Sequence, residues 1–176
     1  WDMYLGPAPW RTYNKARTFW NFRWFCDYSG GQMTDWGAHH FDIAQWGLGM
    51  DHTSPVEVLY PDGDKRKRLT YVYANGIRMT HGGGYHRAAV EFKGDKGWVR
   101  VNRGQYIETE PAGLVHTAIK PGETRLYNSA NHKNNWIESI LSRKDPICTA
   151  EIGHRTATVC HIGNIAYRLK RSLQWD

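Results

Sequence analysis

The sequence has few cysteines, and their spacing does not suit a bridge or a metal. Only Cys26, Cys148 and Cys160 occur among 176 residues, and they lie far apart. An odd number without a Cys-x-x-Cys pair argues against a disulfide framework and against a zinc knuckle. We therefore expect three reduced thiols, buried as free cysteines commonly are.

Long apolar runs are also lacking. No stretch approaches the roughly 20 apolar residues that a membrane-spanning helix needs. The segment Trp1–Leu5 lacks the basic and then apolar pattern of a signal peptide, and an initiator methionine is missing. We expect no membrane partner and a piece of a longer or processed protein, whose compartment the sequence does not indicate.

Size and charge predict one globular domain over residues 1–176. Hydrophobic residues make up 40% and charged residues 23%, and the formal net charge is +6. The densest basic run, Lys65-Arg66-Lys67-Arg68, could bind nucleic acid or could protect the exposed edge of a strand. Four charges in one hairpin are too local for a binding stripe, so we favour the edge and expect no nucleic acid.

Aromatic residues are unusually abundant, with nine tryptophans and ten tyrosines. Six of the tryptophans fall within the first 46 residues: Trp1, Trp10, Trp20, Trp24, Trp36 and Trp46. Core packing explains such residues, and so does a pocket wall that stacks on a sugar, and their density alone does not separate the two. We predict that residues 1–33 form a long ordered aromatic loop with one short helical turn.

A helix is predicted from Thr34 to Leu48, after the break at Gly30-Gly31. Thr34 suits the N-cap, Asp35 suits the first helical position and Gly49 ends the helix. Two closing helices are predicted at the end of the chain, within residues 130–171: Ala130–Arg143 and Ala150–Arg171.

Between these helices, residues 55–110 predict an antiparallel sheet. Asn75-Gly76 is a hairpin turn, Lys93–Gly97 is a second turn, and Gly82-Gly83-Gly84 predicts a bend. The predicted strands are Val56–Tyr60, Arg68–Ala74, Ile77–His81, Arg87–Phe92, Gly97–Asn102 and Tyr106–Thr109. The fold class is therefore α+β, with helices packed on one face of a largely antiparallel β-sheet.

Asp35, His39, Asp42 and Trp46 follow helical spacing and form one stripe. An imidazole can move a proton near neutral pH, so His39 with Asp35 could do acid–base chemistry, and Asp42 could orient a ring nitrogen. A surface helix with an incidental polar face is the alternative. Neighbouring helical residues point about 100° apart, so His39 and His40 do not readily share an ion, and we predict no metal site.

These residues carry a family resemblance. The chain resembles the C-terminal domain of the glucose–fructose oxidoreductase and inositol dehydrogenase (Gfo/Idh/MocA) family, most of all its bacterial branch with a Trp-Leu-Gly-Pro-Ala-Pro-type opening. The segments that carry the likeness are Trp1–Trp10, Trp24–Tyr28, Asp35–His40, Glu151–Arg155, Cys160–Ala166 and Trp175-Asp176.

The resemblance implies the substrate-side domain of an NAD- or NADP-dependent oxidoreductase that acts on a hydroxyl of a sugar or cyclitol. The family's Asp-x-x-x-His pair falls on Asp35 and His39, which implies His39 as the general base and Asp35 as the group that positions the hydroxyl. The family's Rossmann domain and its Glu-Lys-Pro motif are not in this chain, and the chain stops where relatives usually continue. The resemblance also implies a homo-oligomer formed through the sheet, and an isolated chain that is inactive.

Four further residues are predicted to bind substrate, together with Asp42: Arg11, Arg23, Trp24 and His154. Local salt bridges and packing are the alternative role for Arg11, Arg23 and Trp24, and a buried, hydrogen-bonded structural role is the alternative for His154. Two other functions stay open, namely a non-catalytic module that dimerises or binds a sugar or a protein, and a glycosidase that uses bound NAD.

Overall fold

The computed structural model describes residues 1–63, 67–82 and 89–175. They form two compact units, one of residues 1–86 with 154–176 and the other of residues 87–153. No described helix is long and apolar enough to cross a membrane.

The first unit contains helices α1 and α2, most of α4, and one four-stranded sheet. Its helices are α1 (Asp2–Leu5), α2 (Trp36–Leu48) and α4 (Ala150–Leu169, shared at its first turn with the second unit), and its strands are β1 (Glu57–Leu59), β2 (Thr70–Val72), β3 (Arg78–Thr80) and β7 (Leu173–Gln174). Three 3₁₀ helices lie before α2: Lys15–Arg17, Phe19–Trp24 and Gly31–Met33. The aromatic segment therefore has more helical turns than the single one predicted.

Helix α2 begins one residue later than the sequence predicts, with its N-cap at Asp35 and its first helical residue at Trp36. Thr34 closes the preceding 3₁₀ turn, since both its backbone N–H and its hydroxyl donate to the carbonyl of Gly31, and Asp35 takes the N-cap position instead. The predicted end is confirmed, because Gly49 adopts φ 69° and its N–H donates to the last turn of the helix.

The sheet of the first unit has the order β3-β2-β1-β7, with antiparallel pairing throughout. Directly paired residues share a face, and Val58, Tyr71, Met79 and Leu173 form such a row. This row packs into one core with Phe41 of α2 and with four residues of α4: Val159, Cys160, Ile162 and Ala166. Both helices therefore cover the same face of the sheet.

Tyr71 lies at the centre of this core. Its ring packs edge-on against Phe41 at 5.4 Å between centroids, and its hydroxyl reaches the backbone of α4 at Gly163. Gly163 adopts ordinary helical φ, so its role is to make space for the hydroxyl. Complete burial of such side chains contributes about 1.5–3 kcal/mol each.

The second unit contains a three-stranded sheet and helix α3. Strands β4 (Val90–Gly94), β5 (Gly97–Asn102) and β6 (Tyr106–Glu110) pair antiparallel in that order, and α3 covers His132–Ser142. Asn131 caps α3 by accepting from the N–H groups of Lys133 and Asn134.

A salt-bridge network crosses the polar face of this sheet. Arg100 on β5 pairs with Glu91 on β4 at 2.6 Å and with Glu108 on β6 at 2.7 Å. Partial burial raises the pKa of Glu91, but the hydrogen bonds from Arg100 and Lys93 outweigh this and leave the pKa below its usual value.

The predicted α+β class with antiparallel strands is confirmed, but the strands form two sheets instead of one meander. Strand β3 pairs only with β2 among the described residues, and the other edge of its sheet is completed by β7 from the end of the chain. The predicted bend at Gly82-Gly83-Gly84 and the start of the predicted strand at 87–88 lie partly outside the described residues, as does the basic run at 65–68.

None of the three cysteines forms a disulfide in the described part of the chain, but only Cys160 is buried, so the prediction of three buried thiols is wrong for Cys26 and Cys148. Burial raises the pKa of the Cys160 thiol to about 12. This thiol therefore stays protonated and packs as a small apolar group.

Candidate active site

Helix α4 holds the aromatic segment in place ahead of α2. The side-chain amide of Asn164 donates to the carbonyl of Gly30 at 2.8 Å, and Arg168 donates to the carbonyl of Cys26 at 2.7 Å. Both hydrogen bonds hold main-chain carbonyls, so they fix the position of the segment that leads into α2.

The two glycines at this entry have different roles. A Cβ on Gly30 would lie 2.8 Å from the Asn164 amide nitrogen and would collide with the Thr34 side chain, so Gly30 permits close packing. Gly31 adopts φ 66°, a left-handed conformation that a side chain would strain. Together they allow the sharp turn that brings Arg23 and Asp35 together.

Arg23 lies over two indole rings, an arrangement that we call the indole clamp. Its guanidinium carbon lies 4.2 Å from the ring centroid of Trp20 and 4.8 Å from that of Trp24. In a 3₁₀ helix side chains three apart eclipse one another, which places Trp20 directly over Arg23 within Phe19–Trp24. The side chain of Arg23 is 18% exposed, while Trp20 and Trp24 remain 75% and 49% exposed.

Asp35 forms an ion pair with Arg23. Arg23 Nη1 lies 3.0 Å from Asp35 Oδ2, close enough for an ion pair although not aligned as a hydrogen bond. Asp35 Oδ2 and Arg23 Nε are both buried without a hydrogen-bond partner among the described residues. A buried polar atom without a hydrogen bond is costly, so the Arg23–Asp35 ion pair leaves hydrogen-bonding capacity unused at this point.

His39 lies one helical turn beyond Asp35 and is exposed. Its ring is 6.0 Å from that of Trp36, in an edge-on arrangement. The neighbouring His40 is half-buried and its Nδ1 lies 3.0 Å from the Trp36 carbonyl oxygen. The two imidazoles therefore differ, and His39 is the one that solvent reaches more freely.

Asp42 contacts α4. It accepts a hydrogen bond of 3.0 Å from the hydroxyl of Thr156, and so joins the two helices that cover the sheet. Burial and then the negative charge of Asp42 raise the pKa of Asp51, which follows the end of α2. The substrate-binding role of Asp42 stays a prediction.

Arg11 makes an ion pair within the aromatic segment. Its Nε lies 3.2 Å from Asp27 Oδ2, and Arg17 approaches the same oxygen at 3.4 Å. Partial burial raises the pKa of Asp27, but the hydrogen bond from Arg11 and the two positive charges outweigh it and hold the pKa below its usual value. Arg11 thus has a carboxylate partner, and its role toward substrate stays a prediction.

His154 lies on α4 with an exposed side chain, and its role also stays a prediction. Within the described ranges 1–63, 67–82 and 89–175, no group of three His, Cys, Asp or Glu side chains is arranged to hold a metal ion.

Sequence reasoning did not find Trp20, Thr156, Asn164 or Arg168. The spacing Trp20-x-x-Arg23 would have signalled the clamp only if the segment had been known to be a 3₁₀ helix. The other three act through tertiary bonds to segments more than 100 residues away, for which the sequence holds no local signal.

Comparison with known families gives one match. Residues 1–176 match the family model described as "Oxidoreductase family, C-terminal alpha/beta domain". The search of curated proteins gives no match.

Proposed function

This chain belongs to the Gfo/Idh/MocA oxidoreductase family as its C-terminal alpha/beta domain, and we propose that it forms the substrate side of an NAD- or NADP-dependent oxidoreductase acting on a hydroxyl of a carbohydrate or cyclitol. In this proposal His39 is the general base and Asp35 positions the hydroxyl.

One observation carries the proposal. A buried carboxylate oxygen of Asp35, the N-cap residue of α2, makes no hydrogen bond among the described residues, and the exposed imidazole of His39 follows four residues later in that helix. Residues four apart lie on the same side of a helix, and we infer that one substrate hydroxyl binds both side chains. A substrate O–H would donate to Asp35 and later lose its proton to His39.

The reaction needs a base, for which we propose His39, and a hydride acceptor, which NAD or NADP would supply when bound. His39 takes the hydroxyl proton, the C–O bond becomes a carbonyl, and the hydrogen on the same carbon leaves with its electron pair. The described residues do not fit a dinucleotide as that acceptor, because their strands pair antiparallel and the sequence has no Gly-x-Gly-x-x-Gly loop opening a βαβ unit. We therefore assign NAD or NADP to a domain outside residues 1–176 and derive no step through it.

The aromatic side chains support a sugar or cyclitol as substrate. Trp20, Trp24 and Trp36 are 75%, 49% and 46% exposed in the segment around Asp35. Indole rings stack on the apolar C–H faces of such molecules while neighbouring polar atoms bind the hydroxyls. Two buried polar atoms that make no hydrogen bond among the described residues, Arg23 Nε and Asp35 Oδ2, lie beside these rings.

The test is polyol-dependent reduction of NAD or NADP by the complete protein, with a panel of hexoses, sugar acids and cyclitols. We expect His39→Ala to lower kcat by about 10²–10⁴-fold, the usual contribution of a general base. His132→Ala is the matched control, since His132 is also an exposed helical histidine and lies in the second unit.

Two results would contradict the proposal. Full activity of His39→Ala would remove His39 as the base. Release of p-nitrophenol from aryl glycosides by a protein that reduces no dinucleotide with free sugars would favour the glycosidase.

We further propose that the complete protein is a homo-oligomer formed through the sheet β4–β5–β6. One face of this sheet is apolar, and none of the residues that form it is fully buried: Val90, Phe92, Val99, Val101 and Ile107. Pairing such faces between copies would remove them from water.

A further inference from the structure

We propose, resting on the function above, that Arg23 is a positioning residue of this site. Packed over the rings of Trp20 and Trp24, it holds the Asp35 carboxylate away from the cap of α2, in position for the substrate hydroxyl.

The position of Asp35 would ordinarily give its carboxylate another partner. Asp35 is the N-cap residue of α2, where an aspartate side chain typically accepts from the N–H groups two and three residues later. Here its side chain makes no cap hydrogen bond and lies against Arg23 instead. An interaction outside the helix must therefore hold the carboxylate away from the N–H groups of Gly37 and Ala38, the usual partners of an N-cap side chain.

The indole clamp supplies that interaction. A guanidinium free in solvent would lose little by moving, but this one lies over two rings at 4.2 and 4.8 Å and is 18% exposed. A planar cation stacked on aromatic faces is confined to one plane, which fixes the direction of its N–H groups. The guanidinium therefore acts as a fixed point to which the carboxylate is drawn.

The ion pair between Arg23 and Asp35 leaves hydrogen-bonding groups on both side chains unused. Arg23 Nε and Asp35 Oδ2 are both buried, and neither makes a hydrogen bond among the described residues, although Oδ2 is ion-paired with Arg23 Nη1. A purely structural ion pair gains most when both groups complete their hydrogen bonds. One donor and one acceptor side by side match a hydroxyl, which both accepts and donates.

The chain provides a second clamp as a control. Arg17 lies over the rings of Phe25 and Tyr28 at 4.6 and 5.3 Å, and pairs with Asp27 at 3.4 Å. Its side chain is 22% exposed, close to the value for Arg23. Both arginines pack over two aromatic rings and pair with an aspartate, but Asp27 lies outside α2 and its N-cap.

The experiment compares Arg23→Met and Arg23→Lys with Arg17→Met in the complete protein. We expect kcat/KM for the sugar or cyclitol to fall on the order of 100-fold for Arg23→Met, since small displacements of a positioning group cost that much. Arg23→Lys should recover little, because an ammonium does not form the planar stack. The KM for the dinucleotide and the activity of Arg17→Met should stay near wild type.

A double-mutant cycle with Asp35→Asn tests whether Arg23 acts through Asp35. We expect Arg23→Met to add almost nothing in the Asp35→Asn background, whereas independent effects would multiply. Multiplying effects, or equal losses in Arg23→Met and Arg17→Met, would overturn the inference. If Arg23→Met does not fold, the double-mutant cycle with Asp35→Asn is measured with Arg23→Lys instead.

A crystal structure of the Arg23 variant separates this inference from the proposed function. Without the clamp, the Asp35 carboxylate should turn to accept from the N–H of Gly37 or Ala38. An unmoved Asp35 overturns the positioning role whether or not the protein oxidises a polyol. A moved Asp35 in a protein that reduces no dinucleotide supports the clamp and rejects the function.

Discussion

At the scale of single residues, His81 makes the stability of the first unit sensitive to acid. Its ring packs 5.6 Å from that of Phe41, and its Nδ1 lies 3.2 Å from the Tyr167 hydroxyl. Burial lowers the pKa of His81 below its usual 6.5. Near and below pH 6.5 the unfolded chain thus binds a proton that the folded chain does not, so stability is lost as the pH falls from 6.5 toward the lowered pKa.

We expect His81→Gln to reduce this loss. Glutamine keeps a polar group for the Tyr167 hydroxyl but does not titrate. The denaturant midpoint of the wild type should fall more between pH 7.5 and pH 5 than that of the variant, measured by urea unfolding. Equal falls in both proteins would assign the acid sensitivity to other groups.

The candidate site residues differ in how far the sequence indicates them. Asp35 and His39 could be selected because helical spacing is a local property, and their catalytic roles stay predictions. The contact of Arg23 with Asp35 could not, because it depends on the turn at Gly30-Gly31 and on the 3₁₀ form of the segment before it. Arg11 was selected by position as well, and the structure gives it a carboxylate partner, Asp27.

At the scale of elements, α4 has one glycine that packing requires and one that it does not. A Cβ on Gly163 would collide with the Tyr71 hydroxyl and lie 3.2 Å from its Cζ, and Met33 Cε would be 3.3 Å away. A Cβ on Gly153 meets nothing within 4 Å. A change from glycine to alanine should therefore lower the free energy of unfolding at Gly163 and raise it at Gly153.

We expect Gly163→Ala to lower the free energy of unfolding by about 1–3 kcal/mol, the usual cost of overpacking a core. Gly153→Ala should raise it by about 0.5–1 kcal/mol, since alanine loses less backbone entropy in a helix. Thermal and urea unfolding of both variants measure the difference. Destabilisation of similar size at both positions would show that the close approach of Tyr71 is not what requires Gly163.

Element types were more predictable than their pairing. Strands β5 and β6 and helix α3 lie within a few residues of the predicted ranges, because alternation, turns and caps are read locally. The pairing of β1 with β7 was not predictable, since it joins residues such as Glu57 and Gln174, 117 positions apart. The single predicted meander was wrong for this reason.

At the scale of the whole molecule, the apolar face of β4–β5–β6 predicts the association of copies. Ile107 on β6 is 50% exposed on that face, and Glu110 on the same strand points to the polar face. We expect Ile107→Lys to shift the complete protein toward monomer, because a charge would have to be buried at the interface. Glu110→Lys is the matched control and should leave the mass unchanged.

Light scattering coupled to size-exclusion chromatography gives the molar mass of each variant. An Ile107→Lys protein with the mass of the wild-type oligomer would place the interface elsewhere. A wild-type protein that is monomeric at all concentrations would reject the oligomer itself.

The bonds from α4 to the aromatic segment also set an order of events during synthesis. Asn164 and Arg168 hold the carbonyls of Gly30 and Cys26, which were translated 134 and 142 residues earlier. On the ribosome, the segment that carries Arg23 therefore lacks these two bonds until α4 has emerged. The clamp on Asp35 is thus among the last features of the first unit to acquire its final support, and a nascent chain halted before α4 would display the exposed tryptophans without it.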